Sequence, residues 1–132
     1  MNALVLDTSA YSAFKRGQFE AVRAVRRAAA IVLPTIVVGE LLAGFATGSR
    51  TEENRAELDA FVASPRVRVV PVSWDTAERY AHIYAYLRQL GRPIPTNDIW
   101  IAACTMTQGA ELLTADGHFR HLPQVVVRFL EP

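Results

Sequence analysis

The sequence predicts an α/β fold: a mainly parallel sheet with helices on both faces. Three observations predict it. Short apolar runs at residues 3–7, 31–33, 67–72, 111–114 and 125–130 have the length and composition of buried strands. Stretches of helical periodicity separate the first four of these runs, and strands joined through helices lie parallel in one sheet. At 132 residues, with 51% hydrophobic and 20% charged residues, the chain suits one domain that buries about two-thirds of its unfolded surface.

The first strand, Ala3 to Asp7, runs into Asp7-Thr8-Ser9, a cap for a helix carrying Tyr11 and Phe14. Through residues 19–29, Phe19, Val22, Ala24 and Val25 alternate with arginines as an amphipathic helix. Ile31 to Leu33 is the second strand. Pro34-Thr35 opens a helix to about Ala46, and Gly48 closes it. Thr51 begins the next, with Glu52 and Glu53 in its first turn and Leu58, Phe61 and Val62 as its stripe. VRVVPV at 67–72 is the third strand, where Pro71 marks an edge or an end. Ser73 caps a long helix in which Ala77, Tyr80, Ala81, Tyr84 and Leu87 recur at helical spacing, and Gly91 and Pro93 break it. Thr96 or Asn97 is expected to cap the following helix, which runs to about Gln108 and stops at Gly109. Glu111–Thr114 and 125–130 complete the sheet.

Composition narrows the function classes. The single cysteine, Cys104, excludes an intrachain disulfide framework and points to a reducing cytoplasm, and its apolar surroundings place it in the core. The start MNALVLD has no basic leader, and its apolar stretch breaks at Asp7, too early for a signal peptide. Residues 28–49 are apolar but interrupted by Pro34, Thr35 and Glu40, so a soluble protein without a membrane span is expected. A formal net charge of +1 excludes a polybasic nucleic-acid binder. The 13 arginines against one lysine, Lys15, suit bidentate phosphate contacts, and genomic base composition would produce the same bias.

Most of the 13 acidic residues stand among other charges on solvated helix faces. Four do not. Asp7 is the only charge before Lys15 and ends a buried strand. Glu40 is the only charge between Arg27 and Arg50, and Asp98 the only one between Arg92 and Glu111. Asp116 follows the strand that ends at Thr114. Each alone reads as a cap or a surface residue; Asp98 in particular suits the first turn of a helix. Burying unpaired carboxylates is costly, however, and no basic neighbour in sequence compensates any of the four. In an open parallel sheet the ligand crevice lies beyond the carboxyl ends of the strands, where Asp7 and Asp116 sit and where the helix starts would bring Asp98 and Glu40. Four converging carboxylates repel one another unless a hard divalent cation joins them, and an all-oxygen site favours Mg²⁺ or Mn²⁺ over Zn²⁺. One or two such ions acidify a water and neutralise charge in phosphoryl displacement, so phosphodiester hydrolysis is the expected reaction.

With these residues in place, the chain resembles the PIN-domain family, specifically the VapC-type toxin ribonucleases of toxin-antitoxin pairs. VLDTSAYSAF, the Glu in VVGELLAG, GRPIPTNDIWIAA and LLTADGHF carry the resemblance, which spans essentially the whole chain. It implies an α/β/α sandwich, Mg²⁺- or Mn²⁺-dependent RNA cleavage and inhibition by a cognate antitoxin. It also implies a homodimer, with operator DNA contacted only through the antitoxin complex. Asp7, Glu40, Asp98 and Asp116 take the family's acidic positions as catalytic residues and metal ligands, and Thr8, Asn97 and Thr114 are expected to orient carboxylates or water. Where many relatives have a further acid shortly after the fourth, this chain has Gly117, His118 and Phe119, which leaves the number of metal ions open. His118 and His121 could contribute a ligand or a phosphate contact, but without companion Cys or His clusters loop or surface roles are expected.

Other readings fit less well. A receiver domain needs adjacent acids after the first strand and a late lysine, whereas the only lysine here is Lys15; an Asp-x-Asp phosphatase fails because residue 9 is Ser. A binding module with a vestigial pocket would not need all four acids, and a housekeeping PIN nuclease without an antitoxin is the remaining alternative. Tyr80, Tyr84 and Trp100 are expected to pack in the core or at a dimer face rather than stack on RNA. Arg16, Arg23, Arg26 and Arg27 are assigned to phosphate or antitoxin contacts.

Overall fold

The computed structural model describes residues 2–131, and among these it contains five strands, six helices and one 3-10 turn. In chain order they are β1 (Ala3–Leu6), α1 (Thr8–Lys15), α2 (Phe19–Arg27), β2 (Ala30–Pro34), α3 (Thr35–Ala46), α4 (Thr51–Val62) and β3 (Val67–Val70). There follow α5 (Trp74–Leu90), α6 (Thr96–Thr107), β4 (Glu111–Thr114), the 3-10 turn (Gly117–His121) and β5 (Val127–Phe129). All strand pairs are parallel, in the order β3-β2-β1-β4-β5.

The three central strands read as apolar runs because both of their faces are covered. Leu4, Val5, Leu6, Ile31, Val32, Leu33, Leu112 and Leu113 are all buried whichever face their alternation presents. The edge strand β3 exposes Arg68 and Val69. It ends at Val70, short of the expected residue 72, because Pro71 has no N–H to continue the ladder. The last strand is likewise shorter than its apolar run, Val127–Phe129 rather than 125–130.

Helix ends follow local chemistry in most places. Ser73 accepts from the Thr76 amide at 3.2 Å, and Gly91, at φ 65°, adopts the left-handed conformation that closes α5. One cap differs from expectation. Pro95 holds the N-cap position of α6, with no side-chain cap bond, so Thr96 and Asn97 already lie inside the helix. Proline's extended ψ of 140° starts the helix without a capping hydroxyl, and this frees Asn97 to bond elsewhere.

Helices α5 and α6 run antiparallel, as the Thr76–Thr107 hydroxyl contact (3.3 Å) at one end and the Tyr80–Trp100 ring stack (4.0 Å between centroids) further along show. Tyr84 extends the stack at 6.0 Å from Tyr80, so these rings join two helices. Because α6 leads directly into the start of β4, its own N-terminus lies at the carboxyl edge of the sheet. Cys104 is buried on α6, and burial pushes its thiol up to about 11, as befits a core residue. No helix among the described residues is long and apolar enough to cross a membrane.

Candidate metal centre at the carboxyl edge of the sheet

The strand order reverses direction between β1 and β4: from β1 the chain moves outward to β2 and β3, then returns to add β4 on the other side. A crevice beyond the strand ends at such a switch point is the usual ligand site of an open parallel sheet. Register places it here by residue. Leu6 pairs with Leu113, so Asp7 and Thr114 are the next residues out on the two strands.

Asp7 is the N-cap of α1, only 4% exposed, and its Oδ1 accepts from the Ala10 amide at 2.8 Å and the Ser9 hydroxyl at 2.7 Å. Its Oδ2 accepts from the Thr114 hydroxyl. Three of its roughly four acceptor positions are therefore taken by the protein. Burial raises its pKa, and the bonds from Thr114, Ser9 and Ala10 work against that rise.

Glu40 is brought in from the second turn of α3. Thr8 on α1 donates to its Oε1 at 2.6 Å, and Asn97 on α6 donates to its Oε2 at 3.2 Å. One carboxylate thus ties three helices together.

Asp98 lies in the first turn of α6, half-buried, and Asp116 caps the 3-10 turn after β4 by accepting from the His118 amide at 2.9 Å. The His118 ring stands between them, with Nδ1 2.8 Å from Asp98 Oδ2 and 3.1 Å from Asp116 Oδ1. Burial raises the Asp98 pKa, and repulsion from Asp116 and Glu40 adds to it against the His118 bond. The bond to Asp98, with attraction from both carboxylates, raises the His118 pKa above its ordinary 6.5. Among the described residues no lysine or arginine forms an ion pair with any of the four acids.

The PIN domain family model matches residues 4–125. The chain belongs to the PIN-domain family. Ribonuclease VapC5 of Mycobacterium tuberculosis is 29% identical over 119 residues, covering 89% of this chain and 86% of that protein. The fold is similar to that in the crystal structure of VapBC2 from Rickettsia felis bound to a DNA fragment from their promoter, with a TM-score of 0.87 at 23% identity. That likeness covers 98% of this chain and 99% of the other. It is also similar to VapBC-5 from Mycobacterium tuberculosis, with a TM-score of 0.75 at 25% identity, over 98% and 100% of the two chains.

Within this PIN domain, one oxygen each of Asp98 and Asp116 and one His118 nitrogen lie within 4.8 Å of one another. A mixed carboxylate and imidazole set, with repulsion between the acids unmet by any lysine or arginine, fits a divalent cation. Asp7 and Glu40 fall outside that tight group, held by hydroxyl and amide donors instead. Glu40 repels Asp98 and Asp116 repels Asp7, so the four acids form one electrostatic cluster at this edge.

The loop or surface role expected of His118 is only part of the outcome: it sits on a surface turn, and its ring also lies among the acids. A short 3-10 turn leaves no periodicity from which to decide between that role and a contact in the site. Ser9 reads from sequence only as part of the Asp-Thr-Ser cap and as a residue that is not acidic. In the fold its hydroxyl donates to Asp7 and accepts from the Ala115 amide at 2.9 Å, joining the end of β1 to the turn that carries Asp116. The other histidine, His121, lies with Nε2 3.2 Å from Arg92, outside the tight group.

Proposed function

We propose that this PIN domain is an endoribonuclease dependent on Mg²⁺ or Mn²⁺ and the toxin of a toxin-antitoxin pair. The convergence of Asp98 and Asp116 at the β1/β4 switch point, with Glu40 and Asp7 beside them, carries the reading. The relatives named ribonuclease and the similar VapBC structures support the choice of RNA as substrate and an antitoxin as partner. On this reading the chain forms a homodimer and meets operator DNA only through the antitoxin complex.

Asp98 and Asp116 would hold the cation, with Glu40 and Asp7 beside them in the same electrostatic cluster. A divalent cation there supplies acidification of a water and neutralisation of charge on phosphoryl oxygens. The remaining work belongs to side chains of this chain. Thr8 and Asn97 grip both oxygens of Glu40, so that its carboxylate keeps one orientation. Thr114 and Ser9, each bonded to Asp7 and to a backbone amide of the Asp116 turn, keep that turn in register with β1. The buried helix α6, with Ile99, Ile101, Ala102 and Ala103 in the core, fixes where Asp98 points.

Incubating the purified chain with single-stranded and structured RNAs in Mg²⁺ or Mn²⁺, beside Asp98→Asn, tests the nuclease. Cleavage by the wild type and its loss in the variant are expected; an inactive wild type or an equally active variant removes the reading. Co-expression with the product of a short neighbouring reading frame tests the toxin assignment. A protein that co-purifies with the chain and suppresses cleavage is expected.

A further inference from the structure

The tight group at the sheet edge joins one imidazole to two carboxylates. His118 Nδ1 stands 2.8 Å from Asp98 Oδ2 and 3.1 Å from Asp116 Oδ1. Adjacent ligands of an octahedral cation with bonds of about 2.1 Å are roughly 3 Å apart, so Nδ1 stands from each carboxylate oxygen at the spacing of neighbouring ligands, and one ligand atom from each of the three residues lies within 4.8 Å of the others. The ring is also presented by a fixed backbone. The His118 amide donates to Asp116 Oδ1 at 2.9 Å, and the next residue, Phe119, is 1% exposed in the core. Side-chain exposure of 49% for His118 against 13% for Asp98 makes the imidazole the outer lip of the cluster, open to an arriving ion.

We propose that His118 is a nitrogen ligand beside Asp98 and Asp116, and that the resulting carboxylate and imidazole set selects Mn²⁺ over Mg²⁺. The inference rests on the reading that this cluster holds a divalent cation. Its chemical basis is donor type. Mg²⁺ takes oxygen ligands and keeps its waters, whereas affinity for nitrogen donors rises along the first transition row from Mn²⁺ onward. A carboxylate at this position would hold either ion; an imidazole rewards only the one that accepts nitrogen. The same atom that shares a proton with Asp98 in the metal-free protein is then the atom that meets the ion.

Metal binding is read directly on the purified chain, independently of RNA cleavage. Mn²⁺ and Mg²⁺ dissociation constants are measured for wild type and His118→Ala at one pH, with circular dichroism to check folding. Electron spin echo modulation of bound Mn²⁺ in the wild type reports nitrogen coordination without any variant. Expected are a ¹⁴N modulation that disappears in His118→Ala, a Mn²⁺ affinity roughly tenfold weaker, and Mg²⁺ affinity changed by less than about threefold. Bound Mn²⁺ without ¹⁴N modulation, or tighter binding of both ions in His118→Ala, would overturn the proposal and make His118 a counter-ion that the metal displaces. Failure of wild type to bind either ion would instead overturn the metal reading itself, and this proposal with it.

Discussion

Thr114, at the end of β4, donates its hydroxyl to Asp7, at the end of β1, joining residues 107 positions apart in the chain. The same oxygen accepts from the Asp116 amide at 2.9 Å. One fully buried hydroxyl therefore satisfies a buried carboxylate and orients the turn that carries a second acid.

Thr114→Val keeps the shape of the side chain and removes both bonds. A buried acceptor left without its donor costs about 1 to 3 kcal/mol. Denaturant unfolding should show a loss of that size in Thr114→Val and a much smaller one in Thr114→Ser, which keeps the hydroxyl. A Val variant as stable as wild type would mean that Asp7 does not depend on this donor.

Asp7 carries opposite consequences for stability and for cleavage. Its folded pKa lies above 3.8 through burial, so the stability tied to its protonated form is full below that value and is lost as pH rises through the folded pKa. Asp7→Asn removes the buried charge, can keep the Ser9 and Ala10 bonds at its carbonyl, and can turn its amide toward Thr114. Metal-free Asp7→Asn should therefore be at least as stable as wild type at pH 7, with the gap closing as pH falls toward 4. Asp7→Ala should lose about 0.5 to 2 kcal/mol with the cap. RNA cleavage should be lost in both.

His118 should titrate above 6.5 in the metal-free protein, and in Asp98→Asn its value should fall, since the bond to Asp98 is the largest cause of the rise. The stability from this contact is full below about 6.5 and disappears as pH rises through the folded pKa. Its imidazole is half-exposed, so solvent screening keeps the effect small. Ring-proton NMR across pH 5 to 9 reads the two pKa values directly; equal values in the two proteins would break the link between these residues.

Asn97 is exposed and contributes one of the two donors that hold Glu40. Asn97→Ala should leave the thermal midpoint nearly unchanged and lower kcat/KM for RNA by roughly 10- to 100-fold, the range for losing a group that orients a ligand. Asn97→Asp, which sets a like charge beside Glu40, should be worse than Ala. An Asn97→Ala enzyme with full activity would show that Thr8 alone positions Glu40.

Local pattern carried most of the architecture. The buried central strands announced themselves as apolar runs because both faces are covered, and Ser73, Gly91 and Asp7 end or start their helices by chemistry contained within a few residues. Where pattern misled, a backbone property had overruled it. Pro71 cut β3 short by its missing donor, and Pro95 began α6 in place of the Thr96 or Asn97 cap. The path to Asp98 also differs from the simple rule that helices follow strands. Its helix follows α5, and it faces the crevice because α6 runs back toward the start of β4.

The four acids stood out in the chain itself, since a lone carboxylate in an apolar neighbourhood is costly enough to be noticed wherever it falls. Which atoms they face was decided only by folding. Thr8 meets Glu40 across 32 positions, Asp98 meets His118 across 20, and Ser9 meets Ala115 across 106. Hydrogen bonds and charge act over a few ångströms in space and leave no trace at such separations in sequence. The division of the acids, with Asp98 and Asp116 meeting at the His118 ring and Asp7 largely consumed by hydroxyl and amide donors, is therefore a property of the parallel sheet. Its strand order sets β1 beside β4 and brings their ends together.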